Sequence, residues 1–358
     1  MRISFPYMGT TLIFAKLFEL LGHDIVMPPK PTKKTIELGV KYSPEFACFP
    51  FKVIMGTYIE TLEKDVDIIV TSGGHGPCRA GYYGELHKKI LSNIGHEVEI
   101  YVFDEIKRDY KLFLNQVKVL KGEKSWFAVL KTLRTVYLMT KSIDKINKIV
   151  CKKRAYASDK RLLTRIWQSV LEDYSNIKNN KDIKNVEKEA LDKINNLSYD
   201  FSPDDERIKI GIVGEIYVVM ESSVNNNIEE ILNTYGVEVE RAHYLSSYID
   251  DSLLPFVGKE GKEISRKAEE YIEIVIGGHA KESVGHIIDY KEKGYDGIIH
   301  LKPFGCLPEI ITQSMLDNLS EKLNIPILSL SIDEQTARAN MMTRLEAFID
   351  FIKYQKSK

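Results

Sequence analysis

Three of the four cysteines stand where a thiol can do chemistry. Cys48 lies in Pro44-Glu45-Phe46-Ala47-Cys48-Phe49-Pro50, Cys78 in Gly76-Pro77-Cys78-Arg79, and Cys306 in Pro303-Phe304-Gly305-Cys306-Leu307-Pro308-Glu309. A structural cysteine prefers the middle of an apolar strand or helix, where it acts as a small hydrophobe. These three sit beside proline and glycine instead. Loops of that composition hold fixed backbone shapes and present amide N–H groups, which can donate to the sulfurs of a metal centre and stabilise its negative charge. Gly76, Pro77 and Gly305 would shape such loops, and Arg79 would add positive charge. No CxxC occurs. Spacing alone therefore leaves three readings open: a shared metal site, buried or idle cysteines, and a catalytic thiol. Cys151 differs. It follows Asn147-Lys148-Ile149-Val150, precedes Lys152-Lys153-Arg154, and reads as a semi-buried helix cysteine.

Acids and histidines near these loops are candidates for proton transfer. Glu45 lies three residues before Cys48, and Glu309 three after Cys306. Such acids serve either proton transfer or helix capping. His75 follows Gly73-Gly74, and His279 follows Gly277-Gly278 in the same way. Each can donate a proton or simply bond to backbone. Three cysteines and one histidine would also suit zinc. Gly214-Glu215-Ile216-Tyr217 and then Asn225-Asn226-Asn227 lie between an apolar strand and a helix, a layout suited to an anion at a helix N-terminus. It is neither GxGxxG nor a Walker motif, so nucleotide binding is not supported.

The elements that must position these residues alternate between strand and helix. In the N-terminal part the expected strands are 2–6, 24–27, 66–70 and 97–103, with helices over 10–21, 34–40, 51–62 and 85–94. From about Ile208 the grammar repeats, with strands at 208–213, 237–240, 297–301 and 326–330 and helices at 228–232, 283–293, 308–323 and 343–354. DVDIIVTSGGHGPCRAG and GYDGIIHLKPFGCLPE share a design, an apolar strand ending in a loop that delivers a cysteine before a helix. This predicts an internal duplication and an α/β fold of two lobes with parallel sheets, whose ligands bind outside the carboxyl ends of the strands. The expected domains are an N-terminal α/β lobe, 1–107, with Cys48 and Cys78; a lysine-rich helical connector, 108–204; and a C-terminal α/β lobe, 205–358, with Cys306.

Composition bounds the rest. The chain has 358 residues, 44% hydrophobic and 28% charged, with a formal net charge of −1, which fits a globular protein of two domains. A nucleic-acid surface would shift the balance strongly basic, so no nucleic-acid partner is expected. Four cysteines are too few for a disulfide scaffold, and a reducing cytoplasm is expected. The N-terminus reads as a first strand and helix rather than a signal peptide. No stretch approaches the ~18 uninterrupted apolar residues of a membrane span.

The strings SPEFACFPFK, GGHGPCRAGYY, GEIYV, IHLKPFGCLPE and SIDEQTARANMMTRLEAF resemble a family related to 2-hydroxyacyl-CoA dehydratase components, often labelled acyl-CoA dehydratase activase-related proteins. The resemblance spans about Met1–Asp104 and Ile208–Phe351. It implies flavodoxin-like lobes and a 4Fe-4S cluster in the cleft between them, held by Cys48, Cys78 and Cys306, with Cys151 outside the matching motifs. It also implies a partner, an ATP-hydrolysing iron–sulfur activase that injects a low-potential electron, and a second subunit, identical or paralogous. Related double-cubane proteins carry a larger cluster and reduce small molecules. The chemistry implied is dehydration of a 2-hydroxyacyl-CoA or reduction of a small molecule. The competing readings are a non-catalytic iron–sulfur subunit or electron carrier, and a two-lobed small-molecule binding protein with incidental cysteines.

Overall fold

The computed structural model describes residues 1–73, 77–103, 110–200, 207–252, 259–274 and 276–358. They form two compact units. The first comprises Met1–Tyr137 with the short segments Ile276–Gly278 and Pro303–Pro308; the second comprises Leu138–Val275, His279–Lys302 and Glu309–Lys358.

The first unit contains β1 (Arg2–Ser4), α1 (Leu12–Leu21), β2 (Asp24–Ile25), α2 (Lys33–Tyr42), α3 (Phe49–Thr61), β3 (Ile68–Thr71), a 3₁₀ turn (Arg79–Tyr82), α4 (Tyr83–Asn93), β4 (Glu99–Val102) and α5 (Tyr110–Lys121). It ends within α6 (Trp126–Arg154). Its four strands lie in the order β2-β1-β3-β4, all parallel, with Ile3 opposite Ile68 and Ile69 opposite Ile100. Ile3, Phe5, Phe18, Ile68 and Val70 form its core, which Leu120 of α5 and Val129 of α6 complete.

The second unit adds α7 (Lys160–Ser175), α8 (Asn180–Asn195), β5 (Lys209–Gly214), α9 (Ile216–Met220), α10 (Ile228–Thr234), β6 (Glu238–Arg241), α11 (Leu245–Ser252), α12 (Lys259–Lys267), α13 (Ala280–Glu292), β7 (Gly297–Pro303), α14 (Leu307–Leu323), β8 (Ile327–Ile332) and α15 (Arg338–Lys356). Its sheet runs β6-β5-β7-β8, again parallel. The two sheets therefore share one order, second-first-third-fourth, which is flavodoxin-like. In each, the connections diverge between the first and third strands, and an α/β sheet opens a ligand crevice at that point. The loop bearing Cys78 leaves β3, and the loop bearing Cys306 leaves β7, so both come from third strands.

Helix α3 begins two residues before the expected Phe51. Pro50 fits its first turn, where a missing N–H costs nothing. The helices α2 and α3 then meet backbone to backbone at Gly39 and Gly56. A Cβ on Gly39 would lie 1.8 Å from the Lys52 carbonyl oxygen, and one on Gly56 would lie 1.8 Å from that of Thr35. The segment carrying Cys48 is thus the link of two helices in backbone contact. Among the described residues, no helix is long and apolar enough to cross a membrane.

Because even one methyl group cannot fit at this crossing, Gly56→Ala is expected to destabilise the fold by about 3 kcal/mol, the upper range for overpacking. Urea denaturation followed by circular dichroism reads this directly. An unchanged midpoint would mean that α2 and α3 do not cross as described.

Candidate functional site

Each of the three loop cysteines comes to rest immediately before a helix. Cys48 caps α3 with extended backbone (φ −68°, ψ 154°). Cys78 caps the 3₁₀ turn in a similar conformation (φ −64°, ψ 129°), and that turn leads into α4. Cys306 directly precedes α14, its N–H donating to the Pro303 carbonyl at 3.1 Å. First-turn N–H groups have no acceptor inside their own helix and carry the positive end of its dipole. Sulfur beside such a terminus is favoured as thiolate.

The loops meet within the first unit. The N–H of Phe49 donates to the Phe304 carbonyl at 3.1 Å. Gly305, with φ +75°, lies so close that a Cβ there would stand 3.4 Å from the Cys48 Cα. Cys48 and Cys306 are buried in one apolar cluster with Ala47 and Phe51. Cys78 is half-buried. Its Sγ stands 3.6 Å from where a Cβ on Gly278 would lie, and that Cβ would be only 2.7 Å from Pro308 Cγ. With φ +60°, Gly278 adopts a conformation that favours glycine. A bare backbone therefore separates Cys78 from the loop of Cys306.

Tyr83 and the Cys48 thiol hydrogen-bond to each other; against a thiolate the hydroxyl must be the donor. Beyond Cys48 the surface forms a pocket of about 430 Å³, lined by Phe46, Phe51, Arg79, Tyr82, Tyr83 and Lys89 among others. The Arg79 guanidinium donates to the Phe46 carbonyl and stands 5.9 Å from the centre of the Phe46 ring. Beneath Phe51 lies His87, its ring stacked at 4.0 Å between centres and its Nε2 donating to the Phe51 carbonyl at 3.1 Å. Burial drives this imidazole down to about 3, the Phe51 carbonyl opposing the shift, so it is neutral near pH 7.

Of the other residues singled out from sequence, Pro77 and Glu45 are exposed, and His75 and Gly76 lie outside the described residues. Glu309 belongs to the second unit and is wholly buried. It accepts from Ser283 Oγ at 3.2 Å and lies 2.8 Å from His300 Nε2. Near it, Glu215 caps α9 by accepting from the Val218 N–H at 3.1 Å. Burial first, and then the Glu309 carboxylate, push the Glu215 carboxyl up to about 7 against two backbone donors. That value lets Glu215 hold or release a proton at neutral pH. The rings of His243 and His279 meet at 4.7 Å, and burial holds both imidazoles below their ordinary range.

Cys151 sits apart, buried in the second unit on α6, its thiol donating to Glu229 Oε2 at 3.2 Å. Burial, reinforced by the Glu229 charge, raises its pKa far above the usual thiol value.

Sequence reasoning missed Gly278, Tyr83 and His87. The repeated Gly-Gly-His was the available signal for Gly278. For His87 it was the buried spacing Gly84, His87, Leu91 along α4. Among the described residues, no three His, Cys, Asp or Glu side chains gather closely enough to hold a metal ion. Residues 2–71 match the model of a family described as CoA enzyme activase uncharacterised domain (DUF2229). That stretch includes Cys48 and stops before Cys78. No curated protein matches the chain.

Two outcomes are expected. His87 is neutral when folded, whereas its unfolded counterpart takes up a proton below its ordinary 6.5. Stability should therefore fall as pH drops from 6.5 towards 3, by up to about 1.4 kcal/mol per pH unit from this residue. Urea midpoints at a series of pH values, with His87→Phe showing a shallower slope, check it. Cys151, held as a buried thiol, should resist iodoacetamide in the folded protein and react only once unfolded, as read by mass spectrometry.

Proposed function

We infer that this chain is an iron–sulfur protein of the 2-hydroxyacyl-CoA dehydratase type, holding a 4Fe-4S or double-cubane cluster on Cys48, Cys78 and Cys306. It acts in the reducing cytoplasm with an ATP-dependent iron–sulfur activase and a second subunit, identical or paralogous. The observation that carries this reading is the meeting of three cysteine loops in one unit, through Phe49–Phe304, Gly305 against Cys48, and Gly278 between Cys78 and Pro308. The match of residues 2–71 to a CoA enzyme activase domain supports it. Three thiols spread over three loops suit a multi-iron centre, whose thiolates belong to different irons, better than a single ion.

Such a cluster, bound by three thiolates, supplies a low-potential electron and one iron free of protein ligands. The chain's own residues set its surroundings. Helix N-termini at the three cysteines and the Tyr83 hydroxyl stabilise negative charge on sulfur. Phe51 and Ala47 keep water from Cys48 and Cys306, which strengthens those interactions. Arg79 brings a positive charge to the pocket beside Cys48, where an anionic or carbonyl group of a substrate would be drawn. Glu45, three residues before Cys48, and His75, three before Cys78, are the proton donors we propose from sequence. Glu309, bonded to Ser283 and His300, is a buried acid of the second unit. The reaction is either dehydration of a 2-hydroxyacyl-CoA, redox-neutral overall because the injected electron is recovered when water has left, or reduction of a small molecule by electrons that the activase delivers.

Anaerobically purified protein should be brown, with about four irons and four sulfides per cluster, or about eight irons for a double cubane. Cys48→Ala, Cys78→Ala and Cys306→Ala should each lose most of the iron and the reduced-state EPR signal, while Cys151→Ala keeps both. A colourless, iron-free wild type would remove the reading. A clustered protein inert towards every 2-hydroxyacyl-CoA tried, with activase and ATP present, would remove the dehydratase assignment alone.

A further inference from the structure

We propose that the helix pair α5–α6 seats this protein on the surface of an anionic phospholipid bilayer. The proposal is independent of the cluster, and the residues it rests on, 110–137, all belong to the first unit.

Helix α6 buries one side, with Val129, Thr132 and Val136 turned inward. Its opposite side is also apolar and faces solvent. Trp126, Phe127, Leu130 and Leu133 follow helical spacing along one stripe and are 52%, 79%, 65% and 48% exposed. On α5, Tyr110, Leu112 and Val119 are exposed as well. Isolated exposed apolar residues need no explanation, but a continuous stripe marks an interaction surface.

Charge decides what that surface meets. From residue 110 to 137 the chain carries Lys111, Lys118, Lys121, Lys124, Lys131 and Arg134 against the single acid Glu123. The whole chain is balanced at −1, so this basic excess is local. A second copy would bring two such surfaces together, and like charges repel across an interface. A protein partner is disfavoured by the cation type, since interfaces deplete lysine and favour arginine, and here five of the six are lysine. Lysines flanking Trp, Tyr, Phe and Leu on a helix are the composition of a segment lying in the headgroup region. Lys121 already lies 5.6 Å over the Trp126 ring, joining cation and aromatic at the turn between the helices. Such a helix rests on a bilayer and needs no spanning segment, in keeping with the absence of one among the described residues.

The test uses the full chain with phosphatidylcholine vesicles, with and without phosphatidylserine, at low and high salt. The protein should sediment with the phosphatidylserine vesicles, and less so at high salt. In a Trp167→Phe background, Trp126 fluorescence should shift to the blue on binding. The exposed pairs Phe127→Ser with Leu130→Ser, and Lys118→Glu with Lys131→Glu, should each weaken sedimentation by about tenfold or more while leaving the circular dichroism melt unchanged. Failure to bind, binding indifferent to phosphatidylserine, or binding unaffected by both pairs would overturn the proposal. So would a wild-type dimer that Phe127→Ser with Leu130→Ser converts to monomer, which would assign the face to a second copy.

Discussion

One backbone hydrogen bond, from the Phe49 N–H to the Phe304 carbonyl, governs the geometry of the candidate site. It joins the first residue of a helix near the start of the chain to a loop near its end. Nothing in local propensity brings those segments together, because they are short links separated by about 250 residues of chain. What holds them is shape. Gly305 lies against the Cys48 backbone, and the two thiols share an apolar surround with Phe51. Backbone groups buried there require partners, and the two segments satisfy each other.

The electrostatics follow from this arrangement. Sulfur atoms at helix starts sit in positive fields, while the imidazole beneath Phe51 is kept neutral by burial. Negative charge drawn to the cysteine side would thus meet helix dipoles, the Tyr83 hydroxyl and Arg79 rather than an imidazolium. The second unit has a different character. Its carboxyls and imidazoles crowd together at the ends of β5 and β7, and desolvation pulls Glu215 and His243 in opposite directions. Both shifts favour the uncharged form, as burial requires.

Much of the fold was legible in the chain. Buried parallel strands such as Ile68–Thr71 and Gly297–Pro303 are short apolar runs, and their period-free pattern marks strands covered on both faces. The repeated strand–loop–cysteine design announced an internal duplication with parallel sheets. Short helices such as Ile216–Met220 and Lys259–Lys267 went unseen, since they are too brief or too charged to show a clear apolar period. The site was half legible. Residue types and loop chemistry pointed to Cys48, Cys78 and Cys306, yet the contacts that join them run through glycine and backbone, which leave no mark in a hydrophobic pattern. Tyr83 and His87 were hidden for a similar reason, as ordinary members of an amphipathic helix.

The crossing of α2 and α3 through Gly39 and Gly56 has a further meaning for the residue that links them. Two helices interlocked main chain to main chain cannot slide or rotate separately, so the peptide between them inherits their stiffness. Cys48 therefore has little positional freedom left to lose when another atom binds its sulfur. Ordering terms of that kind oppose most association events, and here the ordering is completed when the helices fold.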